Sequence, residues 1–321
     1  VVAELGQPVE ALFTEFSEPV AAASIAQVHY ARRADDGAEV AVKVLRPGIE
    51  AAFRRDLDAF HLAANLIERL SPASRRLRPR DVVSHFQSVV LGELDLRLEA
   101  ASASLFAENI GKDAGFTVPH PHWALSSRRV MTSDWVHGTP MSDVDAIRAA
   151  GHDTGALASR MIQLFLSHAL RDGFFHADMH QGNLRVGPNG DIVAFDFGIM
   201  GEIDEYTRRT YAEIILGFIQ RDYTRVARVH FEAGYVPRDQ NMAEFARALR
   251  AVGEPIFGAD ASRISMANLL SYLFDVTDRF GMQTRTELIL LQRTMVVVEG
   301  VARSLDPQIN MWEAARPVVQ D

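Results

Sequence analysis

The spacing of apolar and polar residues divides the chain into a mixed first part and a long helical remainder. Leu5, Val9, Leu12, Phe13 and Phe16 recur at steps that predict a short helix within residues 1–18, ended ahead of Pro19. Two antiparallel strands are predicted next, about Ser24–Arg32 and Glu39–Leu45, turning at Ala34-Asp35-Asp36-Gly37. In the second strand Val40, Val42 and Val44 alternate with Ala41 and Lys43, so Lys43 lies on the face opposite the valines. A lysine in an apolar strand is costly unless it meets an anion or reaches solvent at a sheet edge. Phe53, Leu57, Phe60, Leu66 and Ile67 predict a helix over Ile49–Leu70. Val83, Phe86, Val90, Leu94, Ala101 and Leu105 predict one long helix from about Arg80 to Asn109. That helix carries Glu93, Asp95 and Glu99. Asp95 and Glu99 share a face, where like charges repel. Facing cations, Lys43 or a metal, explain such a pair; so does a solvated acidic face with Glu93 paired to Arg97.

A further strand pair is predicted over His122–Leu125 and Arg128–Val136, turning at Ser126-Ser127. Gly138-Thr139-Pro140 then changes the texture and reads as a hinge, dividing the chain into residues 1–136 and 137–321. Helices are predicted over Asp143–Ala150, Thr154–Arg171, Asp204–Arg221, Arg221–Ala233, Gln240–Val252, Ser265–Phe280 and Thr284–Ser304. A small hairpin, Leu184–Val186 with Ile192–Phe195, interrupts them around Gly187-Pro188-Asn189-Gly190. The fold class is α+β, with a small strand-containing first lobe and a mainly helical second one.

Composition narrows the chemistry. With 321 residues, 48% hydrophobic and 23% charged, the chain has an ordinary globular make-up. A net charge of −9 argues against general nucleic-acid binding, which needs a basic surface. Arg75, Arg76, Arg78 and Arg80 form a local basic run, read as a solvated loop or as a contact for an anion or lipid. The absence of cysteine removes disulfides, thiolate metal sites and cysteine nucleophiles. Leu288–Val298 is the most apolar run, and Gln292 and Arg293 break it, so it reads as a core helix. The first residue is Val, which suggests a piece of a longer protein.

The chemistry concentrates in Phe174–Gly198. Asp178, Asn183 and the Asp196 of an Asp-Phe-Gly triplet follow one another at the spacing that protein kinases use for a catalytic Asp and two magnesium ligands. In that arrangement Lys43 contacts nucleotide phosphates, and Asp178 orients or deprotonates an acceptor hydroxyl. Asn183 and Asp196 hold Mg²⁺ through oxygen, and His176 buttresses the loop. Backbone groups near Ser133–Val136, including Asp134 and Val136, are placed to bond adenine. His180 has two readings, a phosphate contact or an ordering role in the loop. His176-x-Asp178 also resembles half of an iron-binding facial triad. That reading needs a β-rich setting and leaves Lys43, Asn183 and Asp196 unexplained. Two features depart from protein kinases. No Ala-Pro-Glu follows Gly198, which removes the usual platform for peptide substrates. Ala21, Ala22, Ala23 and Ser24 stand where a glycine-rich loop is expected, and alanine resists positive φ.

Taken together, AAASIAQVH, VAVKVLRPGI, Glu93-Leu94-Asp95, HADMHQGNL and DFGIMG resemble the UbiB family of atypical kinase-like proteins in ubiquinone biosynthesis. RDYTRVARVHFEAGYVP and LLQRTMVVVEGVARSLDP extend the likeness over nearly the whole chain. The resemblance implies an Ala-rich nucleotide loop at Ala21–Ser24, Lys43 as the nucleotide lysine and Glu93 with Asp95 as a Glu-x-Asp motif. It adds Glu99 as a further acidic position near the nucleotide. It implies ATP or ADP with Mg²⁺, and ATP hydrolysis or phosphoryl transfer to a lipid-linked or other non-protein target. Its implied partners are a quinone precursor, ubiquinone-biosynthesis proteins and a membrane surface, at the cytoplasmic face of the bacterial inner membrane for the full-length protein. A Lys-x-Gly-Gln lid upstream and hydrophobic anchoring segments downstream are expected outside this soluble piece. Gln181 stands where the family carries Pro. The alternatives are a small-molecule phosphotransferase of the aminoglycoside or choline kinase type and a nucleotide-sensing pseudokinase.

Overall fold

The alternation around Lys43 becomes a central strand. In chain order the first elements are α1 (Val2–Leu5), α2 (Val9–Leu12), β1 (Phe13–Ala22), β2 (Ala26–Arg33) and β3 (Glu39–Leu45). Then come α3 (Ile49–Leu70), α4 (Pro79–Glu93), α5 (Leu96–Asn109), β4 (Phe116–Thr117) and β5 (Val130–Asp134). Strands β1-β2-β3-β5 form one antiparallel sheet in that order, with Lys43 opposite Val28 on one side and Met131 on the other. Val40 and Val42 are buried with Phe13, Ala31 and Val130 on one face. Lys43 alternates to the other, as expected.

The computed structural model of the chain describes residues 1–22, 25–70, 79–111, 113–258, 275–276, 278–282 and 286–320. Ala23, Ser24, the run containing Arg75, Arg76 and Arg78, and most of the helix expected over Ser265–Phe280 lie outside them. The chain divides into two units by packing, Val1–Leu105 with Pro119–Val136, and Phe106–Val118 with His137–Asp321. This departs from the single break expected after residue 136. Phe106 is the physical reason. Its buried ring packs on Phe116, His168, Phe174 and Phe197 at centroid distances of 5.9, 4.9, 6.3 and 5.8 Å, which assigns its segment to the second unit.

Three expectations in the first unit are corrected. Residues 13–18 are not helical but open β1, which runs through Pro19. This strand is at the sheet edge, and its register shifts on both sides of Pro19, so proline's missing N–H costs no ladder bond. The long helix expected over Arg80–Asn109 is two helices. Asp95 breaks it by capping α5, its carboxylate accepting from the Arg97 backbone N–H at 3.1 Å. Trp123–Leu125 is a 3₁₀ turn rather than a strand, and the residues before it meet β5 through an isolated bridge, Pro121 with Ser133.

The second unit contributes β6 (Thr139–Pro140), α6 (Val144–Ala149), α7 (Thr154–Ser167), β7 (Phe174–His176), β8 (Leu184–Val186), β9 (Ile192–Ala194) and β10 (Met200–Glu202). Helices α8 (Glu205–Ile219), α9 (Tyr223–Glu232), α10 (Met242–Gly258), α11 (Thr286–Leu305) and α12 (Met311–Gln320) follow. Asp143, Asp153, Asp204 and Asp222 cap four of these helices with their carboxylates, which is why the helices start where they do. One small sheet has the order β4-β9-β8-β6 and another pairs β10 with β7. The paired strand β10, and helix α12, were not expected from the sequence pattern. Among the described residues, no helix is long and apolar enough to cross a membrane.

Candidate active site

In the first unit, Lys43 Nζ donates to both carboxylate oxygens of Glu99, at 2.9 and 2.8 Å. Both side chains are largely buried, at 17% and 10% exposure, so neither charge is well solvated and the pair holds each in place. The break before α5 sets this geometry, because it fixes the rotation of the helix that presents Glu99. Asp95 and Glu99 therefore do not face one cation together. Asp95 is taken by the Arg97 guanidinium, at 2.9 and 2.6 Å, which holds its carboxyl below the usual carboxylate range. Arg97 thus pairs with Asp95, not with Glu93, which ends α4 in an exposed position.

Ala21 and Ala22 close strand β1, paired with Val28 and Gln27. Extended backbone suits alanine, and no positive φ is required of either residue there. Asp134 is occupied internally. Its Oδ1 accepts from His122 Nε2 at 2.8 Å, and its Oδ2 accepts from the His120 backbone N–H at 3.0 Å. Its own N–H donates to the His120 carbonyl, and the next N–H, of Trp135, donates to Glu39. The backbone of Val136 makes no hydrogen bond among the described residues.

In the second unit, β7 and β8 bracket the loop of the second expected cluster. Asn183 Nδ2 donates to the Asp178 carbonyl at 3.0 Å and to Asp178 Oδ2 at 3.1 Å. This spends the amide's donors and leaves its Oδ1 as an acceptor. His176 is fully buried and neutral, its pKa pushed down by burial. A neutral ring can accept at one nitrogen and donate at the other. Nδ1 accepts from the Asp178 backbone N–H at 3.1 Å, and Nε2 donates to the Phe195 carbonyl at 3.4 Å. His176 thereby links the residue immediately before Asp196 to the Asp178 loop, with Phe197 against its ring at 5.3 Å. His180 Nδ1 accepts from the Gly182 N–H at 2.9 Å, so its proton sits on Nε2, 3.6 Å from Asp178 Oδ2. Gly182 permits this, since a Cβ there would fall 2.6 Å from the imidazole. The ring orders the loop and faces Asp178.

Asp196 has φ 65, a left-handed conformation that Asp tolerates better than most side chains, and its Oδ1 accepts from the Gly198 N–H at 3.3 Å. No group of three or more His, Cys, Asp or Glu side chains able to hold a metal occurs among the described residues. The donors on offer, Asn183 Oδ1 and the Asp196 carboxylate, are hard oxygens. They fit Mg²⁺, which takes one or two protein ligands and completes its shell with water and phosphate. Of the two readings that the sequence left open for Glu99, pairing with Lys43 is the one found, without Asp95, whereas contacts from α11 were not anticipated. Thr294 on that helix donates to the Ala177 carbonyl at 3.2 Å, and Ser304 accepts from Gln181 at 3.0 Å.

A strand lysine tied to a helix glutamate, and an Asp–Asn loop ahead of Asp-Phe-Gly, are features of kinase-like folds. Residues 1–230 match the ABC1 atypical kinase-like domain, and residues 249–310 match the UbiB helical domain. The chain belongs to the UbiB family of ABC1 atypical kinase-like proteins. It is 41% identical over 322 residues to "Probable protein kinase UbiB" of Vibrio parahaemolyticus serotype O3:K6, covering 99% of this chain and 59% of that protein. It is 40% identical to the protein of that name from Klebsiella pneumoniae (strain 342), covering 98% and 59%. The chain thus spans about three fifths of the curated relatives it matches. Among solved structures it is similar to Rv3197 of Mycobacterium tuberculosis in complex with erythromycin. The TM-score is 0.72 at 26% identity, over 100% of this chain and 82% of that one.

Proposed function

We propose that the protein binds a magnesium–nucleotide and hydrolyses ATP, or transfers its γ-phosphoryl group to a lipid-linked or other non-protein acceptor, in support of ubiquinone biosynthesis. The observation that carries this reading is the bidentate Lys43–Glu99 pair, the arrangement that positions a lysine for nucleotide phosphates in kinases. Asn183 and Asp196 are the residues that would hold Mg²⁺, which neutralises phosphate charge when bound. Asp178 is oriented by Asn183 to accept a proton from a hydroxyl or a water. His176 keeps the loop and the Asp-Phe-Gly segment in register. Acceptance of a peptide is disfavoured by the short path after Gly198, where β10 and residues up to Asp204 lead straight into α8. The quinone role rests on the family and on the relatives' names, and attachment to a membrane surface on the family resemblance alone.

The test is ATP turnover by the purified protein with and without Mg²⁺, lipid vesicles and phenolic quinone precursors. Asp196→Asn keeps the left-handed backbone and removes the charge, and is expected to reduce Mg²⁺-dependent turnover on the order of a hundredfold. Unchanged turnover in that variant overturns the mechanism. Phosphate appearing on an added aminoglycoside or choline moves the assignment to a small-molecule phosphotransferase.

A further inference from the structure

The loop carrying Asp178 is held from outside by one helix. Thr294, buried in α11, shares its hydroxyl proton between the Leu290 carbonyl at 2.8 Å and the Ala177 carbonyl at 3.2 Å. Gln181 Nε2 donates to Ser304 Oγ at 3.0 Å, and that hydroxyl donates to the Val301 carbonyl at 2.6 Å. The first contact falls on the residue just before Asp178. The second falls between Asp178 and Asn183, at the start of the 3₁₀ turn Gln181–Asn183.

Backbone geometry makes the second contact significant. His180 is extended, with ψ 161, and the Gln181 N–H makes no hydrogen bond among the described residues. A first turn position of this kind accepts proline, which stiffens it without outside help. Glutamine leaves the backbone free there and places the constraint in a side chain that reaches a helix distant in sequence. The two loop residues named above are also bound to each other through Asn183 Nδ2, so a shift of residue 181 moves both. We propose that Gln181 and Ser304 form a clasp by which α11 sets the pose of Asp178 and Asn183, with Thr294 as its fixed anchor. The roles of Asp178 and Asn183 in this inference rest on the phosphoryl-transfer reading. Gln181 and Ser304 are positioning residues, not catalytic ones.

The test compares Ser304→Ala, Gln181→Leu, the double variant and Ser304→Thr in the purified protein. Two readouts are used: ATP turnover, and hydrogen exchange of the loop peptide, whose Gly182 and Asn183 amides are bonded to His180. Either single substitution is expected to speed exchange in the loop and to lower kcat about threefold to tenfold, with KM for ATP and Tm close to unchanged. The double variant should lose no more than either single one, and Ser304→Thr should restore both readouts. Independent losses in the double variant, unaltered loop exchange in Ser304→Ala, or a loss seen only in Tm overturns the clasp. If the unsubstituted protein turns over no ATP, the phosphoryl-transfer reading fails instead. Loop exchange, with Ser304→Ala and its threonine counterpart, still decides the clasp.

Discussion

At the scale of single residues, Asp95 combines two roles that substitution can separate. It caps α5 through the Arg97 N–H and pairs with the Arg97 guanidinium. Asp95→Asn retains the cap and loses the charge, whereas Asp95→Ala loses both and should cost about 1 kcal/mol. The denaturant midpoint is expected to drop clearly only in the alanine variant, and nucleotide affinity should follow stability. An asparagine variant of normal stability that binds a fluorescent nucleotide poorly places Asp95 against the nucleotide instead. The same residue shows where reading the sequence runs out. Lys43, Asp178, Asn183 and Asp196 stand out because their spacing is set by short, nearly rigid stretches of chain. Glu99 is less plain: the sequence offers either a cation such as Lys43 or solvent as what it faces, because its direction depends on the helix break four residues earlier. A cap of this kind looks, in sequence, like any acidic residue on a continuous amphipathic helix.

Among the elements, those with a sustained period or a marked turn were legible, the three-residue β8 and β9 included, through the Gly187-Pro188-Asn189-Gly190 turn between them, and the other very short strands were not. Ile49–Leu70 shows its period over many turns, and the capping aspartates mark several later helices. Strands of two or three residues, such as β4, β6, β7 and β10, are too short to show an alternation at all. Strand β1 was hidden by Pro19, which is a stop signal in a helix but is tolerated at a sheet edge. The β7–β10 pair nevertheless braces the start of the Asp178 loop, since β7 ends on His176. Gly201 lies opposite Phe175, and a Cβ on it would fall 2.2 Å from the buried Phe175 ring, which packs on Phe165. Gly201→Ala is therefore expected to cost about 1–3 kcal/mol in urea denaturation. It should also reduce turnover, because β7 ends on His176. A variant with the original urea midpoint excludes this packing.

For the whole molecule, buried histidines predict acid sensitivity. Burial pushes His168 and His230 down to about 4, in His168 against the opposing pull of Asp113, and lowers His176 as well. All three are neutral in the fold and titrate near 6.5 when unfolded. Between those values the unfolded chain binds more protons, so stability falls as pH drops from about 6.5 toward 4. The loss for His168 and His230 is roughly 3 kcal/mol apiece at its limit. Asp113, held low chiefly by Arg171, adds stability above the ordinary carboxylate pKa and loses it as pH falls toward its lowered folded value. Melting followed by circular dichroism should show Tm declining steadily from pH 7 to pH 4.5. A flat profile contradicts the buried, neutral state of these rings.

The left-handed backbone at Asp196 has a consequence for how this position can vary through evolution. Conformation alone admits Gly, Asn and Asp with little penalty and disfavours branched or bulky residues. Offsetting the positive charge of a bound magnesium from this position calls for a carboxylate, Asp or Glu. The two filters overlap almost only at aspartate. A lineage that abandons metal-dependent chemistry can drift to Asn or Gly at this site without unfolding, and a relative carrying either can be read as having made that change.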